Sequence, residues 1–568
     1  MQPSPTDDQK AQPVHWTKDP RAGTDASPVP LTPNQHWTVD PESGERVVDF
    51  DFTEEPLGMP ESMGYGFAQF EFGESLGGNV DNQSRSYTVL RKLGWGMNSS
   101  TWLVQDQRFN ILVIASVLSA SKLRVPFIER EDAAQTLLLA VKETLEKRFH
   151  VAFDDVKIRD CSKGKRLRRW RSAGQVSGII QARPITLDVN FIGDWQIGKD
   201  IFDIGRFHSE KGVGQVEEAY FALKALNGHC TQYAAKSVSW ELPALQLTTN
   251  TPDHDPTPHC LRLVDHFFLP GKGSAGRHLC LVTPLFGGDI TRYARSSNFL
   301  HYPLPLAKRI LLHTLRALND LHECGVVHTD IKPDTIFFDT TLSNEDIRML
   351  LESDPSQWHQ AEASYDGIVH AAVSQPLPLP TIEEFTKRTF VLGDLGSVWI
   401  SLSLAQLIGQ RITDHICPES LRPPEIYIGG PWDEKVDIWS FGCLVYEIVT
   451  GVPLFKTKEG SVDGVHLDAT EIILFQMIAH TREVFLAKQL SVSPLAGHYF
   501  NETCRLKKKP GHYLYQTEHW VVRSSDGDIS MDKAKEVVRF MRRCLRLDPA
   551  DRASAKELLQ DEWFEDAA

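Results

Sequence analysis

The chain has 568 residues, 41% hydrophobic and 24% charged, with a net charge of −15. This length exceeds one ordinary domain and suits one large two-part unit with additions, and the composition is that of a globular protein. The acidic balance argues against direct binding of nucleic acid and favours basic partners.

Nine scattered cysteines contain no CxxC pair, which predicts reduced thiols in the cytoplasm or nucleus rather than a zinc site or a disulfide framework. The start, MQPSPTDDQK, has no charged-then-apolar pattern and predicts no secretory signal. The run ILVIASVL at 111–118 is too short to span a bilayer, so no membrane association is expected.

In chain order, residues 1 to about 50 are rich in Pro, Asp, Thr and Ser without periodicity, and a disordered tail is expected up to about residue 60. Aromatics at 64–78 could pack on a domain edge. YTVLRKLG and STWLVQD, around a Gly-containing turn, predict a β-hairpin. Residues 108–218 interrupt this pattern. They include a stretch of helical spacing (131–149) and a basic run, KGKRLRRWR (163–171). Three readings of the insert stand open: an independent subdomain, a disordered loop, or translated non-coding sequence. The basic run reads equally as a nuclear-localisation signal or as a solvated loop cluster.

Strand pattern resumes at 217–227. It is followed by a helix predicted over 231–248, two further strands, and a helix over PLAKRILLHTLRALNDLHECG with one apolar face. Residues 340–389 read as a second spacer with SQPLPLP as its loop-like centre. The last third is helical. The predicted fold is therefore α+β: a small strand-rich part (61–107 and 219–284) followed by a large helical part (285–567).

Several short pieces carry chemistry. LGWGMNSSTWLV (93–104) puts Gly94 and Gly96 between two strands, where backbone lacking Cβ can approach a polyphosphate. FALK ends a strand on Lys224, and Glu241, in the next helix, could pair with it and aim the ammonium at nucleotide phosphates. HTDIK supplies Asp330, suited to accept a hydroxyl proton, and Lys332, suited to steady a phosphoryl group. GDLG supplies Asp394, a carboxylate for magnesium. Glu425 lies in PPE, Asp437 opens the helix of DIWSFGCL, and LDPADR ends on Arg552. Each is weak alone; seven in this order are not chance.

On these motifs the chain resembles the eukaryotic protein kinases, and within them the SR-protein kinases of a fungal group. LGWG with STWL, HTDIKP at 328–333, GDLGS at 393–397, GPWDEKVDIWSFGCL and HYFNE carry the likeness. Thr329 is its sharpest mark, because most kinases place Arg there.

The resemblance implies a bilobal fold holding ATP and Mg2+. Leu93, Gly94, Trp95, Gly96, Met97 and Ser99 would form the loop over the nucleotide. Thr101 and Ala222 would roof the adenine, and Phe337 would floor it. Thr283 would stand as gatekeeper beside a hinge that includes Leu285. Lys224 with Glu241 would orient the phosphates. Asp330 would be the base with Lys332 beside it, and Asp394 the metal ligand. His328, Gly396, Glu425, Asp437 and Arg552 would brace the structure.

The implied activity is serine/threonine phosphorylation of basic, Arg-Ser-rich proteins such as splicing factors, by a monomer. Four departures weaken the likeness, one of them the 108–218 insert, which splits the first hairpin strand from Lys224 where kinases need only a short turn. Thr335 replaces the usual magnesium-binding Asn and predicts a weaker ligand with one hydrogen bond fewer near Asp330. Ser99 takes the place of a third Gly. Pro243, two residues after Glu241, predicts a kinked helix. Impaired rather than abolished catalysis follows, with a pseudokinase scaffold for basic partners as the alternative.

Overall fold

The structure, a computed structural model, describes residues 32–39, 46–77, 85–107, 155–160, 175–181, 185–192, 219–235, 241–250, 258–297, 301–396, 406–407, 416–508, 510–511, 517–525 and 528–567. Their strands in chain order are β1 (Gln35–Val39), β2 (Arg46–Phe50), β3 (Ser75–Gly77), β4 (Ser86–Gly96), β5 (Ser99–Asp106), β6 (Asp155–Asp160), β7 (Gln175–Gln181), β8 (Ile185–Ile192) and β9 (Tyr220–Leu226). Next come β10 (Asp265–Pro270), β11 (Arg277–Pro284), β12 (Phe286–Asp289), β13 (Val326–Val327), β14 (Ile336–Asp339), β15 (Glu362–Ser364), β16 (Gly367–Val369) and β17 (Phe390–Leu392).

The chain divides into two compact units. One comprises Met1–Phe72, Val89–Val104 and Phe221–Ala568; the other comprises Gly73–Thr88 and Gln105–Tyr220. In the first, antiparallel strands run in the order β10-β11-β9-β5-β4. The two apolar runs predicted as a hairpin form β4 and β5. Alternation in β4 buries Tyr87, Val89 and Arg91 on one face, as a half-covered sheet requires. The register of β11 on β9 sets Leu281 opposite Lys224 and Thr283 opposite Ala222.

Helices dominate after Pro284. Helix Leu304–Glu323 buries Leu306, Ile310, Leu311, Leu315, Leu318 and Leu321, the i, i+4, i+7 face that its sequence predicts. Helix Lys435–Thr450 is buried almost all round, as its near-continuous apolar sequence demands, and forms the centre of the main core.

Within the first unit, β14 pairs with β12 and β17, so the strand after HTDIK lies beside the strand that leads into Asp394. No described helix is long and apolar enough to cross a membrane.

Four expectations change. Residues 35–39 and 46–50 pair as an antiparallel hairpin where a disordered tail was expected, and Glu54, Glu55, Leu57 and Met59 are buried. The stretch escaped pattern reading because two of its buried groups are carboxylates whose cation, Lys92, lies far along the chain. The spacer at 340–389 contains helix Asn344–Ser353 and the β15–β16 hairpin and packs on residues 50–65, so it is more than a linker.

The helix expected over 231–248 is two, Gly228–Ala235 and Glu241–Asn250. Pro243 sits in the first turn of the second, where backbone N–H groups have no intrahelical acceptor; the predicted kink does not arise. In the second unit, β6, β8 and β7 make a three-stranded antiparallel sheet within the 108–218 insert. The stretch 131–149, the basic run 163–171 and residues 1–31 lie outside the described residues.

Candidate active site

Lys224 is carried by β9, a central strand between β11 and β5. Its Nζ lies 2.6 Å from Glu241 Oε1 and 2.8 Å from Asp394 Oδ1. Burial opposes charge on Lys224, but Asp394 and Glu241 outweigh it and raise its pKa; the ammonium is fixed. Burial likewise works against ionised Asp394, and Lys224 overcomes it, holding the carboxyl below its ordinary value. For Glu241 burial prevails and its pKa rises. Glu241 can approach because residue 396 is Gly: a Cβ there would meet Glu241 Oε2 at 2.3 Å. The role of Gly396 is thus steric.

The catalytic loop hangs from Asp437. That residue is fully buried in helix Lys435–Thr450 and accepts from the backbone N–H of His328 (2.7 Å) and of Thr329 (2.8 Å). His322 Nε2 adds a contact at 3.0 Å, a brace that sequence reasoning missed. Thr329 is completely buried with φ of 65°, a left-handed conformation unusual for a β-branched residue. His328 Nε2 meets Gly393 O at 3.0 Å and joins this loop to the Asp394 segment. Lys332 Nζ lies 2.7 Å from Asp330 Oδ2. Burial lowers and Asp330 more than restores the Lys332 pKa.

Thr335 differs from expectation. It is 1% exposed. Its hydroxyl donates to Lys332 O at 2.9 Å and accepts from Lys332 N–H at 3.2 Å, with Asp330 O at 3.4 Å. The loop around Asp330 is therefore held by Thr335 itself, which corrects the expected loss of a supporting bond. The same bonds occupy most of the oxygen's capacity. For a divalent cation the donor set offers the anionic, one-third-exposed Asp394 and at best one remaining lone pair on Thr335. Asp394 fits such an ion; Thr335 fits poorly.

Over the site, the β4–β5 turn is Met97–Asn98, with Met97 52% exposed. A Cβ at Gly94 or Gly96 would meet nothing within 4 Å. Packing within the protein does not demand glycine at either position, and the free space suits an approaching ligand. Trp95 turns its ring edge-on to Phe67, 6.3 Å between centroids. Asn227, also missed in the sequence, donates its N–H to Asn98 O at 2.8 Å and anchors the turn.

Below, Phe337 stacks with Phe286 at 5.7 Å and lies against Gly393. Ala222 and Thr283 sit opposite one another on β9 and β11, Thr101 lies in β5, and Leu285 follows β11 half-buried. Leu93 and Ser99 flank the turn.

Farther off, Arg552 makes a bidentate pair with Glu425 (2.7 and 2.6 Å), both buried, and stacks over Trp439. Two carboxylates outside the motif set, Asp289 and Glu447, feel the charge of Asp334 in the turn after Lys332. Burial raises the pKa of Asp289, and Asp334 adds to the rise. Burial with Asp334 pushes Glu447 up to about 7.

An ion-paired lysine, a carboxylate beside it and an Asp–Lys pair on a braced loop are thus brought together as the resemblance to protein kinases implies. The protein kinase domain family matches residues 392–564, downstream of Lys224 and Asp330.

The serine/threonine-protein kinase SRPK of Physarum polycephalum is 25% identical over 379 residues, 64% of this chain and 86% of that protein. The human dual specificity protein kinase CLK1 is 22% identical over 405 residues, 69% of this chain and 68% of that protein. The dual specificity protein kinase lkh1 of Schizosaccharomyces pombe is 25% identical over 57% of this chain and 40% of its own length. The chain is therefore similar to the protein kinase domain over residues 392–564, and over about two thirds of its length to kinases named SRPK and CLK1. These relatives carry the names of serine/threonine or dual specificity protein kinases.

Proposed function

We propose that this enzyme transfers the γ-phosphate of ATP to serine in basic, Arg-Ser-rich proteins of the splicing-factor kind, acting as a monomer in the cytoplasm or nucleus. The observation that carries the reading is Lys224 held between Glu241 and Asp394 (2.6 and 2.8 Å), beneath a glycine-bearing turn. Lys224 orients the α- and β-phosphates; Asp330 accepts the serine proton; Lys332 neutralises charge on the transferred group. Bound magnesium would supply charge neutralisation between phosphate oxygens, held chiefly by Asp394.

Basic substrates are favoured by the acidic rim. Burial, with the negative charge of exposed Asp334 added to it, raises the pKa of both Asp289 and Glu447, so negative charge gathers about Asp334, four residues after the base. An arginine from a peptide would relieve that repulsion and donate two parallel hydrogen bonds to a carboxylate.

A scaffold reading, which binds basic partners without transfer, is favoured by one observation: the engagement of the Thr335 hydroxyl with Lys332. Incorporation of labelled phosphate into an Arg-Ser-rich peptide decides between them, with Asp330→Ala as the blank. Activity above the blank supports the enzyme. ATP binding with no activity above it on any basic serine peptide supports the scaffold.

A further inference from the structure

Lys92 stands in β4 just before Leu93 and Gly94, and its side chain is fully buried. Its ammonium meets three oxygens: Glu55 Oε2, Glu54 Oε2 at 3.1 Å and Ala372 O at 3.1 Å. All three donors are thereby used. Glu54 also accepts from Ser374, through N–H (2.9 Å) and Oγ–H (2.7 Å), and contacts His359 Nε2 at 3.2 Å. One cation thus fastens the strand to two segments outside the sheet, residues 54–55 and residues 372–374.

The backbone is fastened as well. Ser356 Oγ–H donates to Leu90 O at 2.7 Å, and Gln375 N–H donates to Lys92 O at 2.9 Å. Two residues later, Leu377 O accepts from Arg292 Nη2 at 2.7 Å, while Arg292 Nη1 donates to Gly287 O at 3.2 Å. The path from the glycine-bearing strand to the segment after β11 is therefore Lys92, Gln375, Leu377, Arg292, Gly287, with a hydrogen bond or two peptide links at each step.

We propose that Lys92 is a positioning residue for the nucleotide's phosphates. With Glu54 and Glu55 it fixes the height of Gly94 and Gly96 above the site through the bridge at 356–377. The proposal rests on the reading that Mg-ATP lies under β4. Its physical basis is that β4 has β5 along one side, whereas among the described residues its other edge beyond Thr88 is held by the bridge and pairs with no strand. A misplacement of about 1 Å in a phosphate-binding loop has a large cost in transition-state geometry.

The test compares Kd values for Mg-ATP and for adenosine, which lacks phosphates. Lys92→Met alone would leave two buried carboxylates unpaired and endanger folding. The working variant is therefore the neutral triad Glu54→Gln/Glu55→Gln/Lys92→Met, with Lys92→Arg as the conservative control and the thermal midpoint recorded for each.

The expected result is a roughly tenfold weaker Kd for Mg-ATP in the neutral triad, with adenosine within about twofold of wild type and Lys92→Arg close to wild type in the ratio of the two. Unchanged Mg-ATP affinity in a folded neutral triad overturns the proposal, and so does equal weakening of both ligands. Wild-type protein that binds adenosine but not Mg-ATP would instead overturn the reading of the nucleotide site, and this inference with it.

Discussion

Thr335 shows how one side chain can be right for the loop and wrong for the ion. Its hydroxyl closes the turn after Lys332 and touches Asp330 O. An Asn there would offer an amide carbonyl to a metal and an amide N–H2 to the loop, both at once. Thr335→Asn is therefore expected to raise kcat on an Arg-Ser-rich peptide by about fivefold, roughly 1 kcal/mol of transition-state stabilisation, with a smaller change in KM for ATP. Steady-state kinetics against the Asp330→Ala blank checks this. Equal kcat in wild type and Thr335→Asn would mean that threonine is an adequate ligand here.

At the same scale, the proposed recognition of basic peptides predicts a pH dependence through Glu447. Burial and Asp334 push its pKa up to about 7, so a basic peptide that pairs with it must bind the ionised form. KM for an Arg-rich peptide should fall as pH rises from 6 to 8. Glu447→Gln should flatten that dependence, measured as KM against pH. An unchanged slope in the variant would remove Glu447 from substrate recognition.

At the scale of elements, the 108–218 insert joins two strands that are neighbours in one sheet, β5 and β9. Its ends are already together: Asp106 N–H donates to Ala219 O at 3.0 Å. A long loop between adjoining ends adds little closure entropy, so a short one can replace it. Replacing residues 109–217 with a short Gly-containing turn should give soluble protein whose melting midpoint still rises with millimolar Mg-ATP. Thermal shift checks both points, and an unfolded product would place the insert within the core.

The whole molecule bears on how activity is switched. Kinases that await a phosphate on the loop after Asp394 use a cation before the catalytic Asp to hold it. Thr329 has none and is completely buried. Arg422 spends its guanidinium on the carbonyls of Ile416 and Cys417. Phosphatase treatment should therefore leave the rate on an Arg-Ser-rich peptide within about twofold of the untreated enzyme; a large fall would refute this. At this scale too, the Glu425–Arg552 pair ties PPE to the end of the chain, as its motif suggested.

Local sequence determined the candidate groups. Asp330, Lys332, Lys224 and Asp394 were legible because phosphoryl transfer requires fixed residue types at short fixed spacings, and the long apolar helices because their periodicity is local. The pairing of Lys224 with Glu241 and the seat of Asp437 under the loop follow from the same motifs.

Tertiary structure alone decided the rest. The burial of Lys92 between Glu54 and Glu55, the packing of the 340–389 spacer on residues 50–65, the crowding of Asp289 and Glu447 by Asp334, and the double use of the Thr335 hydroxyl all join residues that no local pattern links. A buried charge reads in sequence like a surface one. Only the fold reveals whether its counter-charge has been brought to meet it.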